Sequence, residues 1–311
     1  MRHVLSARQF NRVQLEHLFN LVEETERKLA VMPGEEPLRG RIMASLFYEP
    51  STRTRLSFET AMLRLGGQVI TTENAREFSS AIKGESLEDT IRVVSGYADV
   101  VVLRHFEEGS AAAAARVASV PIINAGDGPS EHATQALLDL YTIHKECGRV
   151  DGLKVALIGD LAYGRTVHSL AYMLSNYDDI ELLLVAPPGV PMPQEVLSFV
   201  AQRGVHWRQV DDLREAAAAA QVLYQTRIQR ERFPSEEEYK AAYGRFVIDQ
   251  EIMGVMAPEA IVLHPLPRAG EIDPGVDDDP RAAYFRQAQN GVYVRMALLQ
   301  LCLGLVNLPE H

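Results

Sequence analysis

The sequence predicts an α/β protein of two domains, each a mostly parallel sheet flanked by helices, joined by bridging helices. Three observations carry this. Apolar runs of strand length alternate with longer stretches of helical period, the order that places helices on both faces of a parallel sheet. The alternation falls into two blocks, one on either side of a long helical segment. The chain, at 311 residues, exceeds what one small core organises.

Taken in order, Gln14 to Ala30 has the period of an amphipathic helix. Arg41–Tyr48 is an apolar run that breaks at Pro50 and reads as a buried strand. Leu56, Phe58, Ala61, Met62 and Leu65 then recur at helical spacing. Further strands are expected at Gln68–Thr71, Ala98–Leu103 and Pro121–Asn124, completing the first block. Ser130–Cys147, with Ala133, Ala136, Leu137, Leu140 and Ile143 as its apolar positions, is a long helix expected to bridge the domains. The second block offers strands at Leu153–Ile158, Glu181–Ala186, Val205–Val210, Val222–Gln225 and Ala260–Leu263. The alanine runs Ala111–Ala115 and Ala216–Ala220 are strong helix formers without functional content. Arg230–Arg245 is charged and carries Pro234; it reads as a solvated loop with a short helix, placed to serve as a lid. A last helix, Val292–Leu305, is apolar on one side.

Composition narrows the function. Hydrophobic residues make up 47% and charged residues 23%, as in ordinary soluble globular proteins. No apolar run reaches the length of a membrane span, and the N-terminal stretch lacks the apolar core of a signal peptide. The two cysteines, Cys147 and Cys302, have neither metal-ligand nor redox spacing. They read as inert buried thiols, and a cytoplasmic location is expected. A net charge of −11 argues against nucleic acid or an anionic membrane as partner. An anionic substrate then needs arginines concentrated locally, which works because salt screens charges beyond about 8–10 Å.

Ser51, Thr52, Arg53 and Thr54 stand between the first strand and its helix. Phosphate is held in this way, by orphan N–H donors and the positive end of the helix dipole. Capping needs one such residue; four in a row, one of them charged, exceed it. Arg104 ends the third strand of the block and reads either as a surface residue or as a companion of Arg53 at the same sheet edge. In AGDGPSEHATQ, Gly126, Gly128 and Pro129 turn the chain. His132 and Gln135 then open a helix on one face. A histidine there is a core residue or a neutral donor to an oxyanion, since the helix dipole disfavours imidazolium. Ser79 and Lys83 lie in FSSAIKGESLEDT, by itself an exposed polar loop. In the second block, GDLAYGR follows a strand and suggests a nicotinamide-dependent oxidoreductase. Yet Gly159 and Gly164 lack the dinucleotide-binding spacing and no ribose-binding acid follows. That leaves Arg165, at a helix start. Arg227 and Gln229 follow the strand Val222–Gln225. Arginines there supply the planar forks a dicarboxylate requires. HPLPR ends the last strand with two prolines, which have no N–H, so this turn presents carbonyls suited to a substrate NH2 group.

The motifs STRTR (Ser51–Arg55), KGES (Lys83–Ser86), LRH (Leu103–His105), HATQ (His132–Gln135), GRTVHSL (Gly164–Leu170), TRIQRERF (Thr226–Phe233) and HPLPR (His264–Arg268) occur together and in order. By them the chain resembles the aspartate and ornithine carbamoyltransferases. The ornithine branch has a cysteine in HCLP; His264-Pro265-Leu266-Pro267 has none, and TRIQRER suits a cationic side chain poorly, so the resemblance is to the aspartate branch. It implies transfer of a carbamoyl group from carbamoyl phosphate to the α-amino group of L-aspartate, in de novo pyrimidine biosynthesis, without metal or cofactor. It implies that Ser51, Thr52, Arg53, Thr54, Ser79, Arg104, His132 and Gln135 hold carbamoyl phosphate. Lys83, Arg165, Arg227, Gln229, Pro265 and Leu266 hold aspartate. Arg53, Thr54, Lys83, Arg104 and His132 are the catalytic set. It further implies a homotrimer whose sites are shared, with Ser79 and Lys83 reaching a neighbouring subunit, and a possible regulatory chain or dihydroorotase partner. The implied domains are residues 1–134, with helix 292–308 packing back on them, and residues 135–291. One departure stands out: HPTQ is usual in the family and HATQ stands here, so Ala133 loosens the backbone beside His132. A non-catalytic homologue would have lost charged site residues, and none is lost.

Overall fold

A computed structural model of the chain describes residues 2–32, 34–75, 84–128, 131–227 and 246–309. It is an α/β protein of two compact units, Met1–Leu137 with Gln289–His311, and Leu138–Ala288. The chain passes from one unit to the other within the helices Ala133–Cys147 and Tyr284–Cys302.

In the first unit, strands β1 (Ile42–Phe47), β2 (Gln68–Glu73), β3 (Val100–His105) and β4 (Ile122–Asp127) form a parallel sheet in the order β2-β1-β3-β4. The central strands β1 and β3 are apolar and covered on both faces, as parallel strands must be. β2, at the edge, reads QVITTE and stays largely accessible. Helices Thr52–Arg64, Leu87–Val94 and Ser110–Val117 make the crossovers. Helix Arg12–Val31 starts on a reciprocal cap, with the Asn11 side chain accepting from Gln14 N at 2.9 Å.

In the second unit, β5 (Lys154–Ile158), β6 (Glu181–Val185), β7 (His206–Gln209), β8 (Val222–Gln225) and β9 (Ile261–Leu263) run parallel in the order β7-β6-β5-β8-β9. Every strand expected from the sequence is present. The edge strand β7, HWRQ, is exposed along its length, and Arg208 pairs with Glu181 and Glu215 beside it. Charged residues at such an edge discourage further pairing.

Two helices depart from the expected bounds. The bridging helix begins at Ala133, after Glu131 and His132. The last helix begins at Tyr284, well before Val292. Its first turns escape an apolar-period reading because Gln287 and Asn290 are polar yet buried. Cys302 is buried and Cys147 half-buried. Burial pushes their thiols up to about 12 and about 11, so both are inert, as expected.

The strand orders fix where ligands can bind. In each sheet successive connections reverse direction once, at β1/β3 and at β5/β8. Beyond the carboxyl ends of those strand pairs the connecting loops part and leave a crevice.

Candidate functional site

At the first switch point, β1 leads through Tyr48, Glu49 and Pro50 into helix Thr52–Arg64. Ser51 holds the N-cap position, yet its side chain makes no capping hydrogen bond. The first intrahelical bond is Arg55 N to Ser51 O, 3.0 Å. The N–H groups of the turn before it are thus left to a ligand or water. Thr54 is buried and Arg53 exposed. Among the described residues no carboxylate pairs with Arg53. Partial burial nonetheless lowers its guanidinium pKa from the ordinary value. A cation that reaches solvent while partly desolvated and unpaired gains most from an incoming anion. Hydroxyls, orphan N–H groups and a guanidinium are the donor types that bind phosphate dianions.

β1 and β3 pair so that Phe47 lies opposite Arg104, which brings Arg104 to the same switch point. Its side chain is only 13% exposed, which removes the reading of a surface arginine. One amino group donates to Ala125 O at 3.3 Å and the other lies 3.4 Å from Glu49 Oε2. Glu49 was not singled out from the sequence; as a lone acid in the strand-to-helix turn it carried no signal.

The loop after β4 depends on Gly128, at φ +51°, where a Cβ would come within 2.8 Å of Glu108 N. No other residue allows so close a passage past the loop after β3. His132 follows, buried, and its carbonyl accepts from Gln135 N and Ala136 N, both at 3.0 Å. Ala133, without the family's proline ring, opens the helix. The residue before His132 is tied down instead. The carboxylate of Glu131, nearly buried, accepts from Ser6 Oγ at 2.8 Å, Ala7 N at 2.6 Å and Arg8 Nε at 3.0 Å. This clamp joins segments 123 or more residues apart and had no local signal.

At the second switch point, Gly159 ends β5 at φ +114°, where a Cβ would lie 2.5 Å from Thr226 O. The glycine makes room for the backbone after β8, not for a pyrophosphate, and the nicotinamide reading loses its one support. Thr226 is locked by its N–H and hydroxyl on Ile158 O, at 2.8 and 3.1 Å. The next residue, Arg227, is exposed. Arg165 is the first residue of helix Arg165–Leu174 and half-buried; Gly164, before it, supplies no side-chain cap. His168 on that helix is bonded through Nε2 to Leu161 O at 2.7 Å, and burial lowers its pKa. The turn Pro265-Leu266 follows β9, with Leu266 at φ +49° and a cis bond to Pro267. Arg268 is bound bidentately by Asp277 and packs over Tyr284, so the arginine of HPLPR is structural. Ser79, Lys83 and Gln229, and the segment Arg230–Arg245, lie outside the described residues.

The first unit thus places Ser51, Thr52, Arg53, Thr54 and Arg104 at one switch point, and the second places Arg165 and Arg227 after β5 and β8. Parallel sheets with ligand-binding loops at their switch points define the class of doubly wound α/β proteins. The family models make the assignment specific. "Aspartate/ornithine carbamoyltransferase, carbamoyl-P binding domain" matches residues 2–145, and "Aspartate/ornithine carbamoyltransferase, Asp/Orn binding domain" matches residues 151–302. The chain belongs to the aspartate/ornithine carbamoyltransferase family.

Within the family its relatives include aspartate carbamoyltransferases. It is 56% identical over 301 residues to the chloroplastic aspartate carbamoyltransferase of Arabidopsis thaliana, covering 96% of this chain and 77% of that protein. The catalytic subunit of M. jannaschii aspartate transcarbamoylase superposes with a TM-score of 0.93 at 46% identity, covering 98% of both chains. The aspartate transcarbamoylase of Trypanosoma cruzi in complex with carbamoyl phosphate and aspartate does so with a TM-score of 0.90 at 44% identity, covering 96% of this chain and 94% of that one. The expectation of a cytoplasmic location is corrected by the plant relatives, of Arabidopsis thaliana, Pisum sativum and Oryza sativa, which are named chloroplastic. Composition and thiol spacing report solubility and reactivity; they carry no cellular address. Among the described residues no helix is long and apolar enough to cross a membrane.

Proposed function

We propose that this chain transfers the carbamoyl group of carbamoyl phosphate to the α-amino group of L-aspartate, giving N-carbamoyl-L-aspartate and phosphate, a step of pyrimidine synthesis. The observation that carries the reading is the start of helix Thr52–Arg64. It offers an N-cap hydroxyl that makes no capping bond, orphan N–H groups and an Arg53 without a carboxylate partner among the described residues, at the switch point of a parallel sheet.

In this reading the first unit holds the donor, and the second holds aspartate by its two carboxylates on Arg165 and Arg227, with Gln229. The phosphate lies on Ser51, Thr52, Arg53, Thr54 and Arg104. His132 and Gln135 face the carbamoyl group, and the carbonyls of Pro265 and Leu266 accept from substrate N–H groups. The amine lone pair attacks the carbamoyl carbon and the C=O electrons move to oxygen. Thr54, Arg104 and His132 stabilise that oxyanion, each such donor contributing roughly 2.7–4 kcal/mol. The tetrahedral species collapses, the C–O bond to phosphate breaks, and phosphate leaves against Arg53. Phosphate takes the amine proton, since no side chain in the set is a strong base. Holding both reactants together supplies about 7–11 kcal/mol, more than any single donor.

The active form is a homotrimer with shared sites, to which Ser79 and Lys83 contribute from a neighbouring subunit. Supporting this, Leu56 and Leu63 on helix Thr52–Arg64 and Ile70 on the edge strand β2 are exposed. They leave an apolar face on that helix and an open sheet edge, surfaces that a second copy of the chain can cover. The test is a colorimetric assay for carbamoyl aspartate, with ornithine as the control acceptor. Product from aspartate and none from ornithine is expected; the reverse would overturn the assignment.

A further inference from the structure

The second unit buries five polar side chains that the reaction does not use, linked in a series that passes through the backbone N–H of His264. Tyr224 OH, on β8, donates to Asp139 Oδ2 at 2.6 Å, and Gln287 Nε2 donates to Asp139 Oδ1 at 2.6 Å. Gln287 Oε1 accepts from His264 N at 2.8 Å. His264 Nε2 lies 2.7 Å from Glu271 Oε1, and Glu271 Oε2 accepts from Ala269 N at 2.9 Å. All five are at most 2% exposed.

The decisive contact is at the other ring nitrogen. Leu266 N donates to His264 Nδ1 at 2.7 Å. A backbone N–H can only donate, so Nδ1 must carry a lone pair and the proton must sit on Nε2, facing Glu271. The network therefore sets the tautomer of His264, and the tautomer sets the backbone of Leu266. That residue needs the support, because φ +49° is a left-handed conformation costly for leucine.

We infer that His264 is a positioning residue: held by Gln287 and Glu271, it fixes the Leu266 peptide so that the turn's carbonyls meet the reacting amino group. The inference rests on the proposed role of Pro265 and Leu266 as acceptors. It separates orientation from affinity. In that reading Arg165 and Arg227 carry the charge of aspartate while His264 acts on the turn's backbone, so loss of the His264 contact disturbs the attack geometry more than binding. A misplacement of about 1 Å at a reacting centre costs on the order of 100-fold in rate.

The test compares His264→Asn with His264→Leu in the full chain. The amide Oδ1 of asparagine is bonded to Cγ, as Nδ1 is, and can accept from Leu266 N–H; leucine cannot. Both lose the contact to Glu271 and should melt below the wild type. His264→Asn is expected to keep kcat within about threefold, and His264→Leu to lose on the order of 100-fold with the aspartate KM within about threefold. Equal kcat in the two folded variants overturns the inference, because a purely structural role would move both alike. Should the leucine variant not fold, His264→Asn decides alone, a 100-fold loss of kcat in folded protein refuting it. Nitrogen NMR of the resting wild type near neutral pH gives a readout independent of turnover. An unprotonated Nδ1 with protonated Nε2 is expected, and the opposite tautomer or an imidazolium overturns the inference. Wild-type inactivity towards aspartate would instead refute the proposed function and leave the NMR criterion standing.

Discussion

Replacing Arg53 by alanine tests the anion receptor directly. In the resting protein the guanidinium is exposed and has no carboxylate partner among the described residues, so its removal breaks no ion pair among them. The melting temperature of the ligand-free protein should therefore stay within the ordinary range of a surface substitution, about ±0.5 kcal/mol. With ligand the position changes. A charge-assisted bond to phosphate contributes about 1.5–3 kcal/mol. As phosphate departs its charge grows, and a donor aimed at growing charge is worth roughly 2.7–4 kcal/mol, or about 100- to 1,000-fold in kcat. Arg53→Ala should thus fold normally, lose about two to three orders of magnitude in kcat, and gain less thermal stability from inorganic phosphate. Wild type at 100 times its dissociation constant should gain about 2.7 kcal/mol. Steady-state kinetics and thermal scans with and without phosphate provide the measurements. Arg53→Lys should recover part of the rate, keeping the charge but losing the planar fork. Two results would refute the reasoning: kcat within threefold of wild type, or a ligand-free protein that melts far below it.

Other positions give independent checks. Arg227→Ala should raise the Michaelis constant for aspartate by at least about tenfold, the equivalent of one lost charged hydrogen bond, and leave that for carbamoyl phosphate little changed; unchanged aspartate kinetics would contradict its role. Lys83→Ala and Arg53→Ala should each lose most of their activity as pure proteins, yet regain part of it when subunits are mixed, because a shared trimer site then draws its two intact groups from different chains. Absence of recovery after confirmed subunit exchange counts against shared sites. Glu131→Ala should destabilise the fold by about 2–4 kcal/mol, read as a lower urea midpoint. Two bonds from the Ser6–Ala7 segment to a buried carboxylate are lost, while half-exposed Arg8 contributes little. Glu131→Gln keeps an acceptor and should cost less.

What the sequence determined by itself is what local pattern encodes. Strand and helix have different apolar periods, so all nine strands could be read without coordinates. The phosphate receptor was legible because its parts are contiguous: four consecutive residues at one strand-to-helix turn suffice. The seven motifs carried the family. The tertiary structure alone decided what depends on residues distant in sequence. Strand order is set by which faces are covered, and only that order shows that β1/β3 and β5/β8 are the switch points. Glu131 holding Ser6 and Ala7, Glu49 beside Arg104, and the series from Tyr224 to Glu271 are single polar residues at ordinary positions. Nothing in their immediate neighbours distinguishes them from solvated side chains. Their meaning comes from burial, since a polar group removed from water must find its partner wherever the fold supplies one.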